Sequence, residues 1–381
     1  SPNGTTNHAY DSTGKILTTT HSDVNINYIY NSDKLLDKIV TTNTNGQYQE
    51  IFSYDNYKRI ISKEHITPLG FTYTYNYTFD NLGRILTEEK KVIGASGIDA
   101  VKTKNIYKNG YLWKSQNALT NTDLKVYNSF NERGQVTSFS LANGLITNRS
   151  YDQYGYLTQN IVSKNNIQQF TFTNTWDVQR GNLSARTNSL FANGINETFQ
   201  YDSFDRLTNN VTKQGTNIIA QEFNNYDGKG RILNNNVGDY NYDTSKAYQL
   251  QNIENLNDLT YYQNNPLQQV TYNERKAPLS IKQQGKENIY FAYDGFNNRT
   301  AMFYGNEASD ETTSSKVRYY SPAGDIEVDF DKTTNKYIVN MYVDGDPYSA
   351  SIIQRKENNT TAFYYLHRDY LGSILAITNS A

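Results

Sequence analysis

One eight-residue pattern recurs along nearly the whole chain and limits what the chain can fold into. One copy is Tyr201-Asp202-Ser203-Phe204-Asp205-Arg206-Leu207-Thr208. Relatives open at Tyr10-Asp11 (with Gly14), Phe79-Asp80 (with Gly83 and Arg84), Tyr151-Asp152 (with Gly155) and Tyr226-Asp227 (with Gly230 and Arg231). The aromatic closes a strand and lays its ring on a pleated face. The Asp bonds the backbone two residues on and starts a turn. Gly supplies a positive φ that other residues adopt at a cost. The Arg-Leu-Thr or Lys-Ile-Leu run opens the next strand. Each unit is therefore a β-hairpin, and its repetition makes the fold all-β.

The spacing supports this reading. Opening aromatics Tyr151, Trp176, Tyr201 and Tyr226 fall 25 residues apart, and Tyr54 to Phe79 is also 25. Two ordinary strands with two turns fill that length. A four-stranded propeller blade needs about 40–45 residues. Alternation of period two leads into the turns, as in Val24, Ile26, Tyr28 and Tyr30, or Tyr73, Tyr75, Tyr77 and Phe79. Some copies drift: the Tyr54-Asp55 and Tyr201 units lack the Gly, Tyr107 opens a compressed unit, and Phe130-Asn131 and Trp176-Asp177 change the opening pair.

Length alone, 381 residues, suggests two or three domains. A shared repeat core overrides that prior. The expected plan is a repeat region over 1–305, a polar loop over 306–316, and further hairpins over 317–381. A mean hydropathy of −0.76 invites a disordered reading, but 34 Tyr and 16 Phe oppose it. Net charge is −2 and the pI about 6.1, which leaves no basic footprint for nucleic acid or a membrane surface. No cysteine is present, so disulfides and thiolate metal sites are excluded. No apolar run reaches membrane-helix length. The start at Ser1, without a signal peptide, reads as an internal piece of a longer protein. Leu250, Ile253, Leu256 and Leu259 recur every three residues but lack caps, so helix, loop and strand edge all stay open. Aliphatics are scarce for a compact core of this size. A one-layer curved sheet suits them, with Tyr rings packed and their hydroxyls reaching water.

The repeated Tyr-Asp-x-x-Gly-Arg-Leu-Thr unit resembles the YD repeat of Rhs proteins. So does Phe291-Ala292-Tyr293-Asp294-Gly295-Phe296-Asn297-Asn298-Arg299. The terminal Tyr365-Leu366-His367-Arg368-Asp369-Tyr370-Leu371-Gly372-Ser373-Ile374 resembles the start of the Rhs-associated core segment. The resemblance, which extends to toxin-complex C components and teneurins, implies a strip of antiparallel hairpins that spirals into a hollow shell, a YD-repeat barrel. It implies a non-catalytic role: enclosing and delivering a C-terminal effector of a secreted polymorphic toxin used in competition between bacteria. The implied partners are the chain's own effector and secretion machinery or a target-cell surface, with no nucleic acid and no membrane span. No cofactor is implied. The chain departs from the family at its end: the Asp-Pro self-cleavage motif and any effector would lie beyond Ala381. An Asn-, Lys- and Ile-rich texture is similar to Bacteroidota surface proteins, so outer-membrane export to the surface or medium is expected. The alternative is a surface adhesin or a carbohydrate- or partner-recognition module on the same repeats. A third reading is a protease whose activity lies downstream.

Candidate chemistry is sparse. The four histidines, His8, His21, His65 and His367, show no metal-ligand spacing. His367, Asp369 and Ser373 invite a catalytic triad, but no nucleophile elbow accompanies them. Asp325, Glu327, Asp329 and Asp331 alternate along a strand, which puts four carboxylates on one face roughly 7 Å apart. That row suits either Ca²⁺ or, more simply, solvent. Exposed Tyr could bind glycans, though packing explains repeat positions first.

Overall fold

The structure, a computed structural model, describes residues 5–254, 257, 269–283, 285–306, 312–358 and 360–379. Those residues form 32 strands and no helix. They pair antiparallel in sheets of 22 and 10 strands. No pairing joins the first strand of either sheet to its last, so among the described residues the hairpins form an open strip rather than a barrel. Leu250–Glu254 is a strand paired with Asp239–Tyr242, which settles that segment against a helix. Leu256 and Leu259 lie outside the described residues, as do residues 307–311 of the expected polar loop.

A β-bulge marks the repeat. The register slips at the opening aromatic of each clear unit: Ala9/Tyr10, Ser53/Tyr54, Thr78/Phe79, Ser150/Tyr151, Gln200/Tyr201, Asn225/Tyr226 and Ala292/Tyr293. Tyr201 pairs with Leu207 while Gln200 pairs with Asn209, so Thr208 is the extra residue. A bulge bends its strand and adds right-handed twist. The repeat thus builds bending into each of these units.

The chain forms two compact units, residues 1–124 with 267–381, and residues 125–266. In the first, Val24, Ile26, Ile39 and Phe52 form one core cluster, with Tyr28, Leu36 and Tyr54 against it. Ala292, Ala301, Phe303 and Val317 form another, against which Leu69 packs from the N-terminal segment. In the second unit Phe139, Leu145, Val162, Phe170, Phe172 and Leu183 are buried. Further on, the strands Ile195–Tyr201, Leu207–Gln214 and Asn217–Tyr226 contain no buried residue.

Candidate functional site

The repeat turn is built around one carboxylate. In the units of Asp11, Asp55, Asp80, Asp152, Asp202, Asp227 and Asp294, Oδ1 accepts the N–H groups two and four residues on, at 2.8–3.1 Å. The backbone closes the same loop, as where Asp202 N–H donates to Arg206 O at 3.0 Å. Gly14, Gly83, Gly155 and Gly230 take positive φ in their turns, at +85°, +79°, +94° and +80°. Where Gly is missing, Lys58 and Asp205 hold φ of 63° and 62° themselves.

Two further contacts explain residues that the sequence pattern left without a role. The Arg four residues after the Asp returns to it: Arg59, Arg84, Arg206 and Arg231 each donate Nε to the Asp Oδ2 at 2.7 Å. At Asp202 and Asp227 these bonds, with those from the turn N–H groups, hold the carboxyl below its usual range. The same guanidinium then covers the aromatic of the following unit. Arg59 lies 4.2 Å from the Phe79 ring centre, Arg206 4.7 Å from Tyr226 and Arg231 4.4 Å from Tyr242.

The tyrosine hydroxyls correct an expectation. They do not simply reach water; they donate to a carbonyl of the preceding repeat. Tyr54 bonds Leu36 O at 2.7 Å, Tyr151 bonds Val136 O at 3.0 Å, Tyr201 bonds Leu183 O at 2.9 Å, Tyr226 bonds Leu207 O at 2.7 Å, and Tyr293 bonds Pro278 O at 2.7 Å. Trp176 does the same through Nε1 to Leu157 O at 2.9 Å. Tyr10, in the first hairpin, is mostly exposed.

The terminal motif is another copy of this turn. Asp369 Oδ1 accepts from Leu371 and Ser373 N–H at 2.9 and 2.8 Å, and Gly372 has φ of 92°. Arg368 stands where the aromatic would be and donates to Ala350 O and Pro347 O, both at 2.8 Å. His367 is buried and its Nε2 meets Thr378 Oγ1 at 3.1 Å. Burial pushes its pKa down to about 4. Asp369 Oδ1 thus serves the turn, and His367 Nε2 meets Thr378.

Within the first unit, the N-terminal and C-terminal segments meet along a seam of near-constant offset. Asn43 Nδ2 donates to Tyr293 O at 2.7 Å, Tyr48 hydroxyl meets Thr300 Oγ1 at 3.1 Å, and Tyr75 hydroxyl donates to Asp325 at 2.6 Å. Lys90 Nζ donates to Tyr342 O at 2.9 Å, and Gln354 Nε2 to Ala100 O at 3.0 Å. These partners are 250–254 residues apart and advance together along the chain. The turn that holds Asn43 and Asn45 thus faces the Asp294 turn. Gly295 shows how close they come: a Cβ there would lie 2.4 Å from Thr41 Cβ.

The seam is polar at its centre. Lys90 Nζ pairs with Asp325 Oδ2 at 2.8 Å, and both are buried. Ser321 Oγ donates to Asp325 at 2.9 Å. Lys356 pairs with buried Asp99 further along. Asp294, with Asn298 in place of Arg, has its pKa raised by burial. It lines a small cavity with Thr41, Tyr48, Glu50 and His65, with room for about one water. Burial pushes the His65 pKa down to about 3 and the Glu50 carboxyl up.

The carboxylate row divides. Asp325 enters the seam, Asp329 pairs with Arg318, whose Nη1 is 3.9 Å from Glu327 Oε2, and Asp331 Oδ1 accepts from Thr333 and Thr334 N–H groups. Neither Ca²⁺ nor plain solvent describes it.

Comparison adds the fold. The chain matches no family model and no curated protein sequence. It is similar in structure to the TcdB2-TccC3 complex carrying TEV, with a TM-score of 0.53 and 13% identity over 98% of this chain and 24% of that one. TcdB2-TccC3 without its hypervariable C-terminal region gives 0.54 at 13%, with the same shares. The Photorhabdus luminescens Tc holotoxin pore with a TccC3 mutation gives 0.54 at 13%, over 97% and 23%. The chain therefore spans about a quarter of those proteins and has the fold of a stretch of these toxin-complex components.

Proposed function

We propose that this chain is a non-catalytic length of wall in a toxin-associated repeat shell, and that the whole protein encloses an effector within such walls and delivers it. The seam is the observation that carries this reading. A strip of hairpins becomes a barrier only if successive passes lock together, and the 250-residue offset joins two passes through buried partners such as Lys90 and Asp325. Bulges at each opening aromatic supply the bending that a wound strip needs. The likeness to TcdB2-TccC3 structures supports the same reading. Confinement keeps an effector from its host and from proteases, and release follows export to the cell surface or medium and contact with a target. The partners on this view are the effector, the export machinery and the target surface.

The test uses the complete gene product. Purified natively and then analysed by denaturing mass spectrometry, it should separate into a repeat-bearing chain and a co-purifying C-terminal fragment, or else show an effector domain protected from protease until the protein is unfolded. A single chain with no protected segment would remove the enclosing role.

A recognition surface is the second reading, and one observation favours it. The residue two after the turn Asp is often a large apolar side chain left exposed: Tyr57 and Leu82 in the first unit, Tyr154 and Phe204 in the second. Glycan-array binding lost on Tyr57→Ala and Tyr154→Ala would support it over enclosure.

A further inference from the structure

At one end of the seam, three ligand-type side chains from distant parts of the chain converge. His21 and Asp23 flank the turn between Ile16–His21 and Val24–Tyr30. Glu274 belongs to the turn between Gln269–Tyr272 and Pro278–Lys282. One donor atom from each lies within 4.8 Å of the others. His21 Nδ1 is 2.7 Å from Asp23 Oδ1, 3.5 Å from Glu274 Oε2 and 3.2 Å from Ser22 Oγ. Ser22 Oγ also donates to Glu274.

We propose that His21, Asp23 and Glu274 bind a divalent transition-metal ion of the zinc class, which clasps the two passes of the strip together. A cation between these converging donor atoms meets the imidazole and both carboxylates at once. One neutral imidazole nitrogen with two carboxylates is a donor set that suits zinc, while Ca²⁺ and Mg²⁺ prefer oxygen alone. Tetrahedral bonds of about 2.0–2.2 Å put neighbouring ligand atoms about 3.3–3.6 Å apart. The present 3.5 Å fits, and the 2.7 Å contact opens slightly as the proton between its atoms leaves. Arg275 Nε stands 3.7 Å from Asp23 Oδ2 and leaves Oδ1 facing the histidine. The two carboxylates outweigh that one guanidinium, so the cluster still attracts a cation. His21 is nearly buried and Glu274 half-exposed, which makes the Glu274 side the entry and leaves a fourth position for water. The inference rests on the seam and stands whether or not the shell encloses an effector.

The test is calorimetric titration of the whole, chelator-treated chain with Zn²⁺, followed by Co²⁺ with visible absorption. Expected is one equivalent per chain, weakened by at least about tenfold in both His21→Ala and Glu274→Gln, a loss at least as large as outer-shell changes produce. His8→Ala, on an exposed histidine bonded to Thr19, should bind normally. Co²⁺ should give the intense bands of a four-coordinate site. Glu274→Gln keeps the side chain's size at an exposed turn, so its result does not depend on rescue of folding. No binding of either metal to the folded chain, or binding unchanged in His21→Ala and Glu274→Gln, overturns the proposal.

Discussion

The strand Thr72–Phe79 and the strand Asn217–Tyr226 occupy the same place in their repeats, each running into an Asp turn. The first buries Tyr73, Thr74 and Tyr75; the second buries nothing. Their turns are alike to a tenth or two of an ångström in the bonds to Asp80 and Asp227. The difference teaches that two codes run along one chain. The turn code is local and complete within each repeat. The seam code pairs residues some 250 positions apart and exists only where a second pass of the strip is packed against the first.

The sharpest break of that comparison is Lys90→Met. It leaves Asp325 buried without its cation, and losing one partner of a buried pair costs about 3–5 kcal/mol. Hydrogen exchange should show the loss in the first unit, while a Lys213→Met control in the strand Leu207–Gln214 of the second changes little. Lys90→Met with Asp325→Leu should recover only part of the stability, since it removes the unpaired charge but leaves the buried Tyr75 and Ser321 hydroxyls without their acceptor. Equal exchange for Lys90→Met and wild type would mean the seam does not hold the unit together.

Acid should separate the units next. All four histidines lie in the first unit. His65 and His367 have folded pKa values pushed down to about 3 and about 4, against 6.5 when unfolded. Their contribution is present above pH 6.5 and is lost as pH falls from there toward the folded values, because the unfolded chain takes up the protons first. At pH 5 the loss is about 2 kcal/mol for each histidine. The half-buried carboxylates Glu50, Glu88 and Glu327 act in the opposite direction, since their folded pKa values are raised by desolvation. They bind protons more readily when folded and so favour the folded state as pH falls through those values. The histidine slope is therefore cleanest near its upper end, just below pH 6.5. His65→Gln should flatten the dependence in the first unit, and the second unit should show no such slope in that range. A matching slope in the second unit would break the assignment.

Glycine offers a matched pair. Gly295 and Gly228 both follow a turn Asp, at Asp294 and Asp227. A Cβ at Gly295 meets Thr41 Cβ at 2.4 Å, while one at Gly228 meets nothing within 4 Å. Gly295→Ala should cost about 1–3 kcal/mol as an overpacked contact. Gly228→Ala should be neutral within about 0.5 kcal/mol, measured by the same denaturant titration. Equal costs would place the effect in the turn and not in the seam.

How much was legible in the sequence follows the same division. The hairpin, its turn Asp and its Gly could be read because all their partners lie within five residues. Asp202 and Phe204 are joined by a bond that the spacing itself announces. The hydroxyl of Tyr201 was misread because its acceptor, Leu183 O, lies one repeat back. The seam was not legible: Asp325 looked like one of four equivalent strand carboxylates, and nothing near it in sequence points to Tyr75 or Lys90. His21 and Glu274 were likewise separate residues until the fold brought them together. The pattern's missing glycines carried a hidden regularity too, since Lys58 and Asp205 keep the positive φ that the turn demands.

The smallest effect tests the local code alone. Tyr226→Phe removes the hydroxyl that donates to Leu207 O at 2.7 Å but keeps the ring under the Arg206 guanidinium. The chain already tolerates Phe at this place, since Phe79 opens its unit beneath Arg59. The net worth of one such bond is about 1 kcal/mol, and the cost should stay in the second unit. Tyr226→Ala also strips the ring from beneath Arg206 and should cost more, toward the lower end of the roughly 3–5 kcal/mol seen for large aromatics in full cores, because this ring is only part-buried. If Phe and Ala cost the same, the hydroxyl alone stitches one repeat to the next. If Phe costs nothing, the stitch is the stacked pair of ring and guanidinium, and the preference for tyrosine over phenylalanine needs another cause.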